Sequence, residues 1–183
     1  NSGKVTVSPG NASSDSQTVT VKGVRKGDAV VKAICNGKSL GKINVKTYTK
    51  KTKTVAVRLV HEKQYNSTDV SDADIKSFLK KVYKQAVFEF KVTRLPAKKV
   101  ACDINMDKKV DVNSWMSDEM KKIRDQCKDD SYNNNIFLVD NPSDGSLGFM
   151  NFNQRYGFVH ADIAKTLGGS LAQKIAMAHE LGH

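Results

Sequence analysis

The last five residues of the chain are the ones whose types and spacing could do chemistry. They read His179-Glu180-Leu181-Gly182-His183. Four residues is just over one helical turn, so on a helix His179 and His183 project from one face and their ring nitrogens can converge on one metal ion. Glu180 lies about 100° further round the helix, where a general base beside a metal is wanted. The pattern therefore predicts a metal site with two histidine ligands and a catalytic glutamate.

Chance is a poor explanation for this spacing, because the chain has few histidines and glutamates. With 4 His in the sequence, roughly 0.002 such matches are expected per chain of this composition. The alternative, a pair of surface histidines on a terminal helix, is the less favoured interpretation.

The helix that must carry the motif has its own start signal. Ser170 is a capping residue and Gln173 stands at the capping-box position, so a helix is predicted from about Leu171 to the chain end. Its buried stripe is expected to be Leu171, Ile175 and Ala178. Ala172, Ala176, His179 and His183 are expected to share a face whose small residues leave room for a cleft.

The residues upstream mix strands and helices, which predicts a mixed sheet with helices packed on it. A helix is expected from Ser71, with Asp74 as its capping-box partner. A second helix is expected over 115–127, capped by Ser114 or Ser117. The apolar stripe of the first helix is Ile75, Phe78, Leu79, Val82, Tyr83 and Ala86. The predicted strands are 55–60, 88–92, 136–139, 148–152 and 156–160.

The run Ile175-Ala176-Met177-Ala178-His179-Glu180-Leu181-Gly182-His183 resembles the active-site helix of the zincin metallopeptidases. The order of elements over residues 55–183 resembles the N-terminal half of a metzincin catalytic domain: strand, helix, strand, inserted region, strand, edge strand, strand and active helix. The resemblance implies zinc-dependent endopeptidase chemistry, with His179 and His183 as zinc ligands. Glu180 would activate the water and later protonate the leaving amine.

The same resemblance implies a place for the substrate. It suggests that Gly148, Phe149, Met150 and Asn151 form an edge strand that binds an extended peptide. Main-chain pairing at a sheet edge binds peptides without demanding particular side chains.

The sequence departs from the family after the motif. Metzincins continue with Gly and a third His or Asp ligand, and other zincins use a later Glu, whereas nothing here follows His183. A catalytic zinc takes three protein ligands plus water. We therefore expect a fragment that binds zinc weakly and is inactive by itself. His61, His160 and Asp162 are the remaining candidates for a third ligand, although each is better explained as a loop or strand-end residue.

Residues 103–111 resemble a calcium loop in part. Asp103, Asn105, Asp107 and Asp111 stand at positions 1, 3, 5 and 9 of an EF-hand or dockerin-like pattern. Position 6 is not Gly, and position 12 is Ser114 instead of a bidentate acid. We therefore expect a hairpin turning at residues 106–109 and do not favour calcium.

The three cysteines are divided between the two parts of the chain. Cys35 is in the first part, so Cys102 with Cys127 is the one sensible disulfide pair. In a secreted protein the bond is expected, and in the cytosol the same residues would be buried thiols.

The first 50 residues have a different pattern. Short Val, Ile and Thr runs at 4–7, 17–22, 29–35 and 42–48 predict an all-β module, and Asn36-Gly37 predicts a hairpin turn. The run from Gly27 to Ala33 followed by 43–45 resembles the later strands of a bacterial immunoglobulin-like repeat. A sandwich domain takes about 80 to 100 residues, so this module is expected to be partial.

The net charge of +11 is concentrated in the same part of the chain. Residues 1–58 carry 12 basic and 2 acidic residues, whereas 59–183 carry 18 and 17. The Lys/Thr-rich stretch 47–54 is interpreted as a solvated linker. Without aromatic interleaving or a basic helix face, nucleic acid is not favoured, and contact of the basic module with an anionic surface remains an alternative.

Together these patterns predict an α+β fold with two parts. A zincin-like mixed sheet with an active-site helix occupies residues 55–183, preceded by a small all-β immunoglobulin-like module at residues 1–50. The expected function is that of a secreted or cell-surface zinc endopeptidase acting on protein or peptide substrates. The alternative is a non-catalytic surface-interaction or adhesion protein with a degenerate protease-like domain. No apolar run reaches the roughly 20 residues of a membrane span.

Overall fold

The computed structural model describes residues 3–11, 16–61, 70–84, 86–113, 115–139, 142–151 and 154–183, without the side chains of His61 and Lys165. The chain forms two compact units, Asn1–Lys51 and Thr52–His183. No helix in the described part combines the length and apolarity that a bilayer crossing requires.

The first unit consists of two antiparallel two-stranded sheets. Strand β1 (Val5–Ser8) pairs with β2 (Thr20–Gly23), and β3 (Gly27–Cys35) pairs with β4 (Lys38–Thr47). The predicted hairpin turn is confirmed, because Asn36 and Gly37 have φ values of 49° and 74° between the paired β3 and β4. Asn and Gly tolerate this left-handed backbone better than other residues do.

The predicted linker at residues 47–54 contains the boundary between the two units, after Lys51, but most of the stretch is strand. Strand β4 continues to Thr47 and β5 (Lys51–His61) begins only four residues later, so residues 48–50 alone separate the two strands. The Lys and Thr residues of this stretch are predicted to be solvated; residues 49–53 are exposed, whereas Thr47 and Thr54 are partly buried. Exposed polar residues are nevertheless compatible with a strand when neighbouring strands satisfy its backbone hydrogen-bonding groups. Composition does not reveal such pairing.

The second unit is built on a mixed sheet of five strands, as the sequence predicted in outline. Besides β5 it contains β6 (Phe88–Lys99), β7 (Asn134–Val139), β8 (Gly148–Phe149) and β9 (Tyr156–His160), in the order β6-β5-β7-β9-β8. β5, β7 and β9 are parallel neighbours, and the two-residue β8 pairs antiparallel to β9 at the sheet edge. The sheet is therefore mostly parallel with one short antiparallel edge.

The continuous apolar run in β7 is explained by burial on both faces of the sheet. Ile136 and Leu138 join one core cluster, whereas Phe137 and Val139 join the other. Successive strand residues point to opposite faces, so a strand covered on both sides must be apolar at every position.

Two helices begin where their capping residues predict. Helix α1 (Asp72–Val82) starts after Ser71, whose hydroxyl accepts a hydrogen bond from the backbone N–H of Asp74 at 3.1 Å. Helix α2 (Asp118–Cys127) is capped by Ser117, so the predicted start at Trp115 is three residues early. Helix α1 packs in the first cluster through Ile75 and Leu79, and α2 packs in the second through Met120 and Ile123.

Helix α3 (Ala161–Gly182) differs from the prediction at its start. It includes residues before the expected cap and is interrupted at Gly168 and Gly169. Gly169 has a φ of 58°, a left-handed conformation that Gly adopts without a steric penalty. The expected segment from about Leu171 is thus the second of two helical pieces.

The predicted role of Gln173 in a capping box is wrong. Its side chain is buried and its Nε2 donates a 3.1 Å hydrogen bond to the carbonyl of Ala161. The amide therefore ties the two pieces of α3 together.

The predicted buried stripe of α3 is also wrong in part. Leu171 and Ile175 are about half exposed, whereas Ala176 is buried. Residues 175 to 178 are all apolar, so the helical periodicity of apolar residues does not identify the buried face. Packing against the sheet determines which of these residues are buried. In the second piece of α3, the buried residues are Gln173, Ala176, Met177, Ala178 and Glu180.

The segment at residues 101–109 contains no strand, so the hairpin predicted at 106–109 is wrong. Met106 and Lys108 instead adopt left-handed φ values of 62° and 65°, which bend the loop without Gly. Cys102 and Cys127 are both thiols buried in the second core cluster, and Cys35 is an exposed thiol. Burial raises the pKa of the Cys127 thiol, which makes it a poor nucleophile.

Candidate metal centre

The two histidines of the motif meet at the C-terminal end of α3. Nε2 of His179 lies 3.2 Å from Nε2 of His183, and the ring centroids are 4.9 Å apart with the rings at 86° to each other. Both side chains are exposed. One turn of helix thus brings two imidazole nitrogens together at a surface that a metal ion could reach.

This spacing fits a shared zinc ion. Two nitrogens that each lie about 2.0–2.1 Å from a tetrahedral zinc are separated by roughly 3.3 Å. The separation of 3.2 Å between the two Nε2 atoms is close to that value. Neutral imidazole is also a donor that zinc prefers, so His179 and His183 could hold the metal.

Glu180 lies on the inner side of the same turn. Its residue exposure is 4%, and a Cβ built on Gly148 would lie 2.6 Å from its Oε1. The carboxylate therefore packs directly against the edge strand β8. Burial raises the pKa of Glu180 to about 7. A carboxyl group with this pKa can both accept and release a proton near neutral pH.

A groove of about 580 Å³ lies beside the two histidines, between α1 and α3. Its apolar residues include Phe78 and Val82 of α1 and Ile175 of α3, of which Val82 and Ile175 are about half exposed. The sequence predicted a cleft at this face through small residues. The observed groove is instead lined by large apolar side chains together with Ala178 and Gly182.

Tyr83 joins the end of α1 to the last turn of α3. Its hydroxyl donates a 2.6 Å hydrogen bond to the carbonyl of Ala178, and a Cβ at Gly182 would lie 3.1 Å from that hydroxyl. In the sequence, Tyr83 stands out only as part of the apolar stripe of α1. No local signal could have linked it to α3, because its partners lie in a distant segment.

The residues predicted to bind substrate have different environments. Gly148 and Phe149 form β8 at the sheet edge and are partly buried, whereas Met150 is buried and Asn151 is partly buried, both outside the strand. The predicted strand over 148–152 is therefore shorter, and Phe152 lies outside the described residues.

Neither of the two candidates for a third ligand whose side chains are described, His160 and Asp162, completes a metal site with the histidine pair. His160 is fully buried at the end of β9, where its Nδ1 lies 2.8 Å from the carbonyl oxygen of Ser146. Asp162 is in the first turn of α3, and the side chain of His61 lies outside the described part. Among the described residues, no group of three or more His, Cys, Asp or Glu side chains could hold a metal ion.

The acidic loop at residues 103–111 uses its carboxylates as acceptors for its own backbone. The carboxylate of Asp103 accepts hydrogen bonds from the N–H groups of Asp107 and Lys108, at 3.0 and 2.9 Å. Buried Glu119 accepts from the N–H groups of Ile104 and Asp111, at 2.6 and 2.8 Å. These bonds tie the loop to α2.

Comparison with known proteins assigns no family. No family model matches the chain, and no curated protein matches it. One similar solved structure is titled "Structure of a chaperone-substrate complex", with 10% identity and a TM-score of 0.41. The match covers 90% of this chain and 27% of that one. This likeness is too weak to carry a functional argument.

Proposed function

We propose that the second unit is a zinc-dependent endopeptidase domain of the zincin class, similar to the metzincins. The observation that carries the proposal is the pair of Nε2 atoms of His179 and His183, 3.2 Å apart on one helical face. Two imidazoles at this distance suit one tetrahedral zinc, and Glu180 follows directly in the chain.

The order of the strands supports the proposal. Along the chain, β5, α1 and β6 are followed by the α2 segment, then β7, the short edge strand β8, β9 and the motif helix α3. The resemblance to the N-terminal half of a metzincin catalytic domain implied this order of elements. The all-β first unit would be an immunoglobulin-like module, and the protein would act outside the cell or at its surface.

The chemistry requires a metal and a proton carrier. Zinc, when bound, polarises a carbonyl group and lowers the pKa of water. The carboxylate of Glu180 would accept a proton from the attacking water and later deliver it to the nitrogen of the departing amine. Its pKa of about 7 suits both transfers.

The edge strand supplies the binding surface. Strand β8 pairs with β9 on one side and forms the end of the sheet on the other. An extended peptide would add to this edge by main-chain hydrogen bonds. Because Glu180 packs against Gly148, the scissile bond would then pass close to the carboxylate.

Zinc titration of the purified, metal-stripped chain tests the proposal. The chain should bind zinc, and His183→Ala should weaken binding at least about tenfold because one of two ligands is lost. Glu180→Gln should leave zinc binding unchanged. In the full-length gene product, Glu180→Gln should abolish hydrolysis of an unstructured protein, whereas Glu89→Gln, at an exposed position of β6, should not. Zinc binding that does not depend on the histidines would overturn the proposal.

A second candidate is a non-catalytic surface-interaction protein. It is favoured by the β3–β4 hairpin, where Ile34, Leu40 and Ile43 are each more than 60% exposed. Large apolar side chains left exposed on a small sheet are candidates for a binding surface. If a protein that lacks residues 1–51 hydrolyses protein substrates normally, hydrolysis does not depend on the first unit. If this deletion abolishes target binding and the undeleted protein neither binds zinc nor hydrolyses peptides, the second candidate is favoured.

A further inference from the structure

We infer that Tyr83 is a positioning residue that fixes the last turn of α3 and so holds His179 and His183 at the distance a shared metal requires. This inference rests on the proposed function for its metal role. We call the contact between Tyr83 and the last turn of α3 the clamp. It is a property of the fold and is testable without metal.

The first contact is with the backbone immediately before the first histidine. The hydroxyl of Tyr83 donates to the carbonyl oxygen of Ala178 at 2.6 Å, a short and partly buried hydrogen bond. A helix already directs this carbonyl to the N–H four residues later, which is that of Gly182. The Tyr83 hydroxyl is therefore a second donor to the same oxygen, and it anchors this carbonyl to α1.

The second contact is with the residue immediately before the second histidine. A Cβ at Gly182 would lie 3.1 Å from the Tyr83 hydroxyl oxygen, so only Gly lets the hydroxyl approach this closely without a shift. Tyr83 thus bonds to α3 one residue before His179 and lies beside it one residue before His183. The two contacts span the same helical turn that separates the two imidazoles.

The anchor matters because the side of this turn that carries the two histidines faces solvent. Here the N–H of His183 bonds to the carbonyl of Glu180 at 3.2 Å, a three-residue spacing that tightens the end. Both histidine side chains are exposed, so packing of the rings does not fix them.

The ring of Tyr83 is itself held in place. It makes an edge-on contact with Phe90 of β6, with centroids 4.9 Å apart, and Tyr83 is the C-cap residue of α1. Burial raises the pKa of its hydroxyl, which therefore stays protonated and remains a donor. Because Tyr83 belongs to α1 and contacts β6, it connects the last turn of α3 to the sheet.

Hydrogen exchange in the metal-free protein tests the clamp directly. Tyr83→Phe keeps the ring and its contact with Phe90 but removes the donor. The amides of residues 180–183 should exchange about three- to tenfold faster, in line with the loss of one hydrogen bond, while the α1 and β7 amides stay unchanged. Tyr156→Phe is the matched control, because its hydroxyl bonds to Asp130 at the opposite end of β9 from α3.

A double-mutant cycle provides a second measurement. Gly182→Ala places a methyl group 3.1 Å from the Tyr83 hydroxyl and also brings the higher helix propensity of Ala. In the Tyr83→Phe background the crowding is absent and only the propensity gain remains, so Gly182→Ala should slow exchange of these amides more there than in the unmutated chain. Equal effects of Gly182→Ala in both backgrounds would contradict the inference.

Zinc affinity then tests the metal role. Tyr83→Phe should weaken zinc binding about three- to tenfold, since the ligands must be ordered on binding, and Tyr156→Phe should not. Unchanged exchange at residues 180–183 in Tyr83→Phe would overturn the clamp. If the unmutated chain binds no zinc but Tyr83→Phe speeds exchange, the proposed function fails and the clamp stands. Zinc binding with equal affinity in both proteins would refute the positioning role alone.

Discussion

The carboxylate of Glu180 lies in the space that a side chain at residue 148 would need. A Cβ on Gly148 would be 2.6 Å from Oε1 of Glu180 and 2.9 Å from the carbonyl oxygen of Phe158. Gly148 therefore permits two things together: a buried Glu180 against the edge strand, and close pairing of β8 with β9.

Gly148→Ala is expected to disturb both the packing of Glu180 against β8 and the pairing of β8 with β9. The methyl group would collide with a carboxylate that has little room to move and with a strand backbone, so we expect a loss of about 1–3 kcal/mol in the free energy of unfolding. Thermal or urea unfolding of the metal-free chain measures this. Gly41→Ala is the control, because a Cβ there would meet nothing within 4 Å. Equal stability of the Gly148→Ala protein and the unmutated chain would show that Glu180 can move away freely.

The buried His160 makes stability depend on pH. Desolvation lowers the pKa of His160, while the nearby carbonyl of Ser146 and the charge of Asp144 oppose this shift. An unfolded histidine has a pKa of about 6.5. The native pKa is the lower of the two, so the unfolded state takes up the proton first. Stability from this group is therefore complete above about pH 6.5 and is lost as the pH falls from there towards the native pKa.

His160→Gln isolates this effect. Both proteins are compared by urea unfolding between pH 7.5 and pH 5 in the presence of a chelator. The variant is expected to lose less stability over that interval than the unmutated chain does, whatever its stability at pH 7.5. If the free energies of unfolding of the two proteins change in parallel between pH 7.5 and pH 5, the pKa of His160 is the same in the folded and unfolded states.

Glu119 is expected to stabilise the acidic loop through both of its oxygens. Glu119→Gln replaces one acceptor with an N–H₂ donor that faces a backbone N–H group. The expected cost is about 1–3 kcal/mol, because the group is buried and a donor is left without an acceptor. Chemical unfolding of the variant and the unmutated chain measures the cost. A stability change within experimental error would mean that the loop does not need Glu119.

Local signals predicted the elements whose stabilising contacts are local. The Ser71 cap lies three residues from Asp74, and the Asn36-Gly37 turn joins adjacent strands, so nearby residues determine both. The inner face of α3 was predicted incorrectly for the opposite reason. Apolar residues occur all round this part of the helix, and packing against the sheet determines which of them are buried.

The loop at residues 103–111 shows a similar limit. A hairpin is predicted there because position 6 is not Gly and position 12 is not a bidentate acid, yet Met106 and Lys108 adopt left-handed conformations that bend the loop. The hydrogen bonds from Ile104 and Asp111 to Glu119 help to hold this backbone in place. The sequence between residues 103 and 111 contains no sign of that distant carboxylate.

The sequence by itself determined that His179 and His183 lie on one face of a helix with Glu180 beside them. That follows from the 3.6-residue period of a helix, which needs no other part of the chain. Only the tertiary structure decided what surrounds them: Gly148 against the carboxylate, and Tyr83 against the turn that carries both histidines. Those contacts join segments that are far apart in the chain, and close packing of the sheet and helices creates them.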